Sequence, residues 1–195
     1  MIATVLGNLR NTVIAGFVLA FLIFLLYLTQ AEFNTFVFWP FLARWAHIGS
    51  GIMWIGLLWY FNFVQIPSMP KIPDEQKPAI GKVIAPAALF WFRWAALSTV
   101  VTGLLLAGLN GYIGALFTFA RPFTAIAIGM WLGLIMAFNV WFIIWPNQKK
   151  ALGIVAVDPA AKAKAARIGM LTSRFNTMFS IPMLFCMVAQ QNAGL

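Results

Sequence analysis

Long apolar stretches separated by short polar ones run along almost the whole chain. Five of them, at 12–28, 40–65, 86–109, 123–145 and 168–189, are 17 to 26 residues long. About 20 apolar residues are enough for a helix to cross a bilayer. The pattern therefore predicts an all-α integral membrane protein, a bundle of about five transmembrane helices that forms a single domain over residues 1–195.

Prolines and turn residues set the predicted helix ends. Trp39-Pro40 is typical of a helix start, and Pro67 and Pro146 are expected to end the second and fourth helices. Asn110-Gly111 is expected to end the third helix. Asp158-Pro159 predicts a cap and first turn from which a helix continues into the fifth span.

Composition agrees with this picture and narrows the function classes. Hydrophobic residues make up 63% of the chain and charged residues 9%, against about 45–50% and roughly 25% in soluble domains. The net charge of +9 is spread over loops rather than gathered in one patch, so nucleic acid is not an expected partner. The only cysteine, Cys186, lies in no CxxCH motif, which excludes covalent c-type haem.

The loop charges predict an orientation. With five spans, nine basic residues fall on one side of the membrane, namely Arg10, Lys71, Lys77, Lys82, Lys149, Lys150, Lys162, Lys164 and Arg167. Arg121 alone falls on the other side. The positive-inside rule then predicts a cytoplasmic N-terminus and an extracytoplasmic C-terminus, in a bacterial-type inner membrane.

The only histidine, His47, lies in the second apolar stretch, where an ionisable residue is costly and points to function. Arg44, His47 and Gly51 share one helix face at i, i+3 and i+7. This face fits haem b, with His47 as axial ligand, Arg44 beside a propionate and Gly51 leaving room for a flat ring. The alternative is a glycine-lined helix contact in which His47 bonds a neighbouring carbonyl.

A haem bound here would need a sixth ligand from a methionine or water, or an open sixth site. The methionines considered for this role are Met53, Met130 and Met136.

Two further arginines, Arg93 and Arg174, fall inside predicted spans that contain no carboxylate. They are candidates for binding an anion or a lipid, and could form one site with Asn139 and Asn176; otherwise they snorkel towards the interface. Arg93 stands in Trp91-Phe92-Arg93-Trp94, which indicates an interfacial aromatic belt with cation–π contacts. No catalytic residue is assigned from the sequence.

The segments Arg44-Trp45-x-His47-x3-Gly51-x2-Trp54-Ile55-Gly56, Tyr60-Phe61, and Trp91-Phe92-Arg93-Trp94 with Thr99 and Gly103 carry a family resemblance. In them the chain resembles the membrane domain of the membrane-bound urate hydroxylases, a family also described as urate oxidase N-terminal. Weaker similarity extends over 139–146. Family members carry a longer membrane portion and a C-terminal cytochrome c domain, so the resemblance identifies this chain as a short form.

The resemblance implies a redox protein that hydroxylates urate to 5-hydroxyisourate and passes electrons to the respiratory chain through cytochrome c. Two function hypotheses follow. The first is a haem-associated redox or electron-transfer component. The alternative is a non-catalytic accessory subunit of a larger respiratory or photosynthetic complex, since short loops and few ionisable groups suit a protein packed among other subunits.

Overall fold

The structure is a computed structural model that describes residues 2–30 and 33–192. These ranges are helical and contain no strand, which confirms the all-α class. The helices are α1 (Ile2–Leu6), α2 (Leu9–Leu28), α3 (Thr35–Lys71), α4 (Lys77–Leu109), α5 (Ala115–Thr118), α6 (Thr124–Ala151) and α7 (Pro159–Asn192). Residues 1–39 and 40–195 form two compact units, and each is described by itself.

Four helices, α2, α3, α4 and α6, are long and apolar enough to cross a membrane. The chain is therefore a membrane protein. The fifth predicted span lies within α7, which is 34 residues long but carries more polar residues than the other four. The number of spans and the single-domain assignment stay predictions.

The first unit consists mainly of α2. The side chain of Asn8 caps this helix by accepting a hydrogen bond from the backbone N–H of Arg10 at 2.9 Å. No described residue of α2 is buried. Phe38 packs against Phe24 and Phe33, with ring centroids 5.3 and 5.2 Å apart.

The second unit is a helix bundle in which α7 packs along α6 and α6 packs against α4. Its core is made of apolar side chains from α3, α4, α6 and α7, including Trp54, Leu58, Phe92, Met136 and Met183. Because these side chains come from all four helices, the core fixes the helix positions that surround the candidate site.

Polar side chains of α7 point into the bundle and bond to other helices. The hydrogen bonds are Asn62 Nδ2 to Ser173 Oγ (2.8 Å), Asn139 Nδ2 to Asn176 Oδ1 (2.8 Å), Asn176 Nδ2 to Met136 O (2.9 Å) and Trp59 Nε1 to Ser180 Oγ (3.0 Å). The opposite face of α7 exposes large apolar residues such as Phe175, Ile181 and Phe185. The buried face of α7 thus combines polar side chains such as Asn176 with apolar ones such as Met183, and its exposed face carries large apolar residues together with Arg174.

Prolines do not end α3 and α6, contrary to expectation. A proline inside a helix lacks an N–H donor, and its ring clashes with the carbonyl four residues earlier. Each of three prolines, Pro67, Pro86 and Pro146, follows a wide π-helical turn that ends two residues before it. These turns are Tyr60–Gln65, Ile80–Ile84 and Asn139–Ile144. We infer that the wider turns relieve this clash and let the helices continue.

Several predicted bounds are therefore wrong. The second helix starts at Thr35, with Pro40 inside it, and continues to Lys71 instead of ending at 65. The third starts nine residues early, at Lys77, and the fourth continues from 145 to Ala151. The first begins at Leu9 rather than 12.

Three other predicted boundaries are confirmed. The first helix ends at Leu28. The third ends before Asn110 and Gly111, whose φ of 75° lies in the left-handed region that glycine adopts most easily. Asp158 caps α7 by accepting a hydrogen bond from the Ala161 N–H at 2.8 Å, and the helix continues through the predicted fifth span.

The contribution of the inward-facing hydrogen bonds to stability can be tested at Asn176, which is fully buried. Asn176→Ala leaves the buried Asn139 Nδ2 without a partner and removes the side-chain hydrogen bond to the Met136 carbonyl, so we expect the free energy of unfolding to fall by about 1–3 kcal/mol. It is measured by denaturant unfolding in detergent. The matched control is Asn192→Ala, because the hydrogen bond of the exposed Asn192 side chain in the described part of the chain is to Val188 of its own helix. Equal stability of the two variants would contradict this role.

Candidate functional site

A cavity of about 590 Å³ lies between α3, α4, α6 and α7 of the second unit, and exposed residues such as Ile52 and Val188 are part of its lining. Arg44, His47 and Gly51 all line it, so the helix face predicted from their spacing does border one cavity. The volume falls within the range of about 300–1,000 Å³ typical of small-molecule and cofactor sites. Most of the other lining residues are apolar.

His47 is held by a hydrogen bond to α4. Its Nδ1 lies 2.8 Å from the carbonyl oxygen of Thr99. A carbonyl only accepts, so Nδ1 carries the proton and donates it. A neutral imidazole then has its lone pair on Nε2, for which no hydrogen-bond partner is found among the described residues. This is the tautomer that metal-binding histidines use, with one nitrogen held by a carbonyl and the other available as ligand.

A glycine on α4 makes room for the imidazole. A Cβ added to Gly103 would stand 2.8 Å from Cε1 and 3.0 Å from Nδ1 of His47. Any side chain at this position would displace the ring. Gly51, which the sequence singled out, lines the cavity, and a Cβ there would make an ordinary 3.8 Å contact with Thr99 Cγ2.

Thr99 and Gly103, the partners of His47 on α4, could not be identified as such from the sequence. Both stand in the segments that carry the family resemblance, and they share a helix face because they are four residues apart. Spacing alone could not show which helix faces His47. The alternative to a ligand role was a helix contact in which His47 bonds a neighbouring carbonyl, and this contact is present, with Thr99. The same hydrogen bond would also orient a histidine that binds a metal.

One end of the cavity is polar. Its lining there includes Arg44, Tyr112, Gln191 and Asn192, which lie near the start of α3, just after α4 and at the end of α7. Burial raises the pKa of Tyr112, and the positive charge of Arg44 opposes that rise, so the two side chains are within electrostatic reach. The Arg44 Nε is buried and has no hydrogen-bond partner among the described residues. This end of the cavity can accept an anionic group.

Of the three methionines that are candidates for a sixth ligand, one lines the cavity and two do not. Met130 lines the cavity, together with Met183 and Met187. Met53 is 44% exposed and is not part of the lining, and Met136 is fully buried in the apolar core.

The two remaining arginines lie outside the lining and in different environments. Arg93 is buried, with its Cζ 3.4 Å from the ring centroid of Trp145 on α6, so its cation–π contact is with a ring outside the Trp91-Phe92-Arg93-Trp94 segment. Arg174 is exposed on α7. Asn139 and Asn176, considered as their partners, instead bond to each other.

The fold and the cavity define a helical membrane protein whose bundle carries a mostly apolar cavity with His47 in its lining. Residues 112–193 match the model of the family described as urate oxidase N-terminal. The match confirms the resemblance, and it shows that the part of the chain holding Tyr112, α5, α6 and α7 is urate oxidase N-terminal-like. The segments quoted above for the resemblance, within 44–103, lie outside the matched range. No curated protein and no solved structure was found to match the chain.

Gly103→Ala tests the packing around His47. The added methyl group must push the imidazole off the Thr99 carbonyl, so we expect a loss of about 1–3 kcal/mol in the free energy of unfolding. Thermal and denaturant unfolding in detergent measure it.

The control is Gly108→Ala on the same helix, where an added Cβ has no neighbour within 4 Å. It should be neutral or stabilising, because alanine favours helices over glycine. A Gly103→Ala variant as stable as Gly108→Ala would show that the imidazole does not pack as described.

Proposed function

We propose that the chain is a haem-binding redox component of the membrane, with His47 as axial ligand of haem b. The observation that carries the proposal is the 2.8 Å hydrogen bond from His47 Nδ1 to the Thr99 carbonyl, which leaves Nε2 as the lone-pair nitrogen. In an apolar cavity this nitrogen can coordinate a metal or accept a hydrogen bond from a ligand.

The residues present fit haem in three respects. The cavity is mostly apolar and of suitable volume. Arg44, at its polar end, has an unpartnered buried Nε that can pair with a propionate. Gly103 leaves room for the imidazole ring, and Gly51 lines the cavity without a side chain. Haem would supply one-electron transfer, and Met130 is the candidate sixth ligand among the lining residues.

His47, Thr99 and Arg44 have distinct roles in this proposal. The Thr99 carbonyl fixes the imidazole orientation and makes Nε2 a stronger donor. Arg44 compensates negative charge at the polar end, and the surrounding apolar side chains exclude water. Because burial and ligand strength set the potential of such a group, these residues would tune its electron affinity.

The electron partner and the substrate come from the family resemblance. We propose cytochrome c as the partner on the way to the respiratory chain, and urate as the substrate class if the chain is an enzyme. The alternative, an accessory subunit of a larger respiratory or photosynthetic complex, predicts that the protein purifies with other subunits and without pigment.

We also propose five spans, in a bacterial-type inner membrane, with the N-terminus in the cytoplasm. The argument for α7 as the fifth span is its surface, since the side chain of Asn176 bonds inside the bundle and large apolar side chains such as Ile181 and Phe185 lie on the exposed face. The excess of basic residues in the 66–85 and 146–167 regions supports the orientation.

Reporter fusions in a bacterial host test the topology. A C-terminal alkaline phosphatase fusion is expected to be active and a C-terminal green fluorescent protein fusion dark, because five spans place the C-terminus outside the cytoplasm. Fusions at Lys150 are the internal control and should give the reverse pattern. A fluorescent C-terminal fusion would contradict five spans with this orientation.

The ligand role is tested with His47→Gly. The purified wild-type protein should show a haem Soret band; His47→Gly should lose it, and added imidazole should restore it by occupying the space left by the side chain. Arg174→Gln, which lies outside the cavity, should leave the spectrum unchanged. A wild-type protein without pigment after haem reconstitution, or a His47→Gly spectrum identical to wild type, would rule out axial ligation by His47.

A further inference from the structure

Arg93 lies in the bundle, and no carboxylate among the described residues pairs with it. Its side chain is only 9% exposed, and neither Nε nor Nη1 has a hydrogen-bond partner among the described residues. The ion pair found in the described part of the chain joins Lys77 to Asp74 instead. A buried cation without a partner costs several kcal/mol, so its retention calls for an anion from outside the chain.

Trp145 holds the guanidinium in place. The Arg93 Cζ lies 3.4 Å from the ring centroid, as in a stacked cation–π pair. Stacking uses the face of the guanidinium and leaves its N–H groups free to donate at the edge. The Nζ of Lys149 lies 5.7 Å from the same ring centroid, so a second positive charge stands close to Trp145.

A further unpartnered donor stands close in the sequence and in the packing. The buried Nε1 of Trp141 has no hydrogen-bond partner among the described residues. Trp141 lies four residues before Trp145 and packs edge-on against Trp94, the neighbour of Arg93, with ring centroids 5.6 Å apart. This region therefore offers N–H donors and positive charge.

We propose that Arg93 and Lys149, beside the Trp145 ring, bind a phosphate group. Phosphate is an acceptor with several oxygens, and an arginine edge can bind two of them at once. The proposal does not depend on the haem site, because Arg93 and Trp145 are not part of the cavity lining.

The depth of the site indicates the phosphate of an anionic phospholipid. Lys149 and Lys150 follow Trp145 within about one helical turn, and charged residues at the end of an apolar helix mark the headgroup region. Clustered basic residues at the membrane surface attract anionic lipids. Free phosphate offers the same oxygens and is the second possible source.

Lipid binding by the full-length protein tests the proposal. The delipidated protein in detergent is titrated with phosphatidylglycerol, and bound lipid is counted by native mass spectrometry. Arg93→Gln should weaken binding about tenfold or more, since hydrogen bonds to charged groups are lost. Lys149→Gln should weaken it several-fold, while its matched control Lys150→Gln, with the same charge change on an exposed neighbour, should not.

Two further measurements distinguish lipid phosphate from free phosphate and keep the test valid if a variant does not fold. If inorganic phosphate binds and displaces the lipid, the site takes free phosphate; if it does not, the lipid is the ligand, and either result supports a phosphate site. Should Arg93→Gln fail to fold, the Lys149→Gln and Lys150→Gln pair still decides. Equal lipid binding by that pair, or no binding of lipid or phosphate by the wild type, would overturn the proposal.

Discussion

A polar group inside a membrane must find its partner within the protein or in a bound ligand, because lipid tails offer no hydrogen bonds. This constraint orders the whole bundle. Asn176 meets it twice, with Asn139 and the Met136 carbonyl, and thereby ties α7 to α6. His47 meets it at Nδ1 only, which ties α3 to α4. Arg93 finds only an aromatic ring among the described residues. Polar groups that find a partner in the protein hold the helices together. Polar groups that do not are candidates for binding a ligand.

The apolar pattern was sufficient to predict the helices, because a bilayer demands long uninterrupted stretches and the chain supplies them. It was not sufficient to predict their ends. Pro67 and Pro146 were expected to stop helices, yet both helices continue through a widened turn. Whether a proline ends or only deforms a helix depends on packing around it, which local sequence does not encode. The caps at Asp158 and Gly111 were predictable because they act locally.

The candidate site was predictable in part for the same reason. Arg44, His47 and Gly51 share a face of one helix, so their common position on the cavity followed from spacing. The partners of His47 come from another helix, and no single-sequence periodicity shows that Thr99 and Gly103 face it. The stack of Arg93 on Trp145 likewise joins positions 52 residues apart. The sequence showed an aromatic setting for Arg93, and the fold selected the ring.

The three π turns have a consequence for how the helices present their surfaces. A π turn contains about one residue more than an α turn, so side chains beyond it are rotated by about 100° from where a regular helix would place them. A helical wheel drawn straight through α6 therefore mixes two faces. In α6 the offset lies between Met130, which lines the cavity, and Trp145, which stacks on Arg93. The residues of α6 before and after the π turn therefore belong to two different helical wheels, and the direction in which each side chain points follows from its own half of the helix.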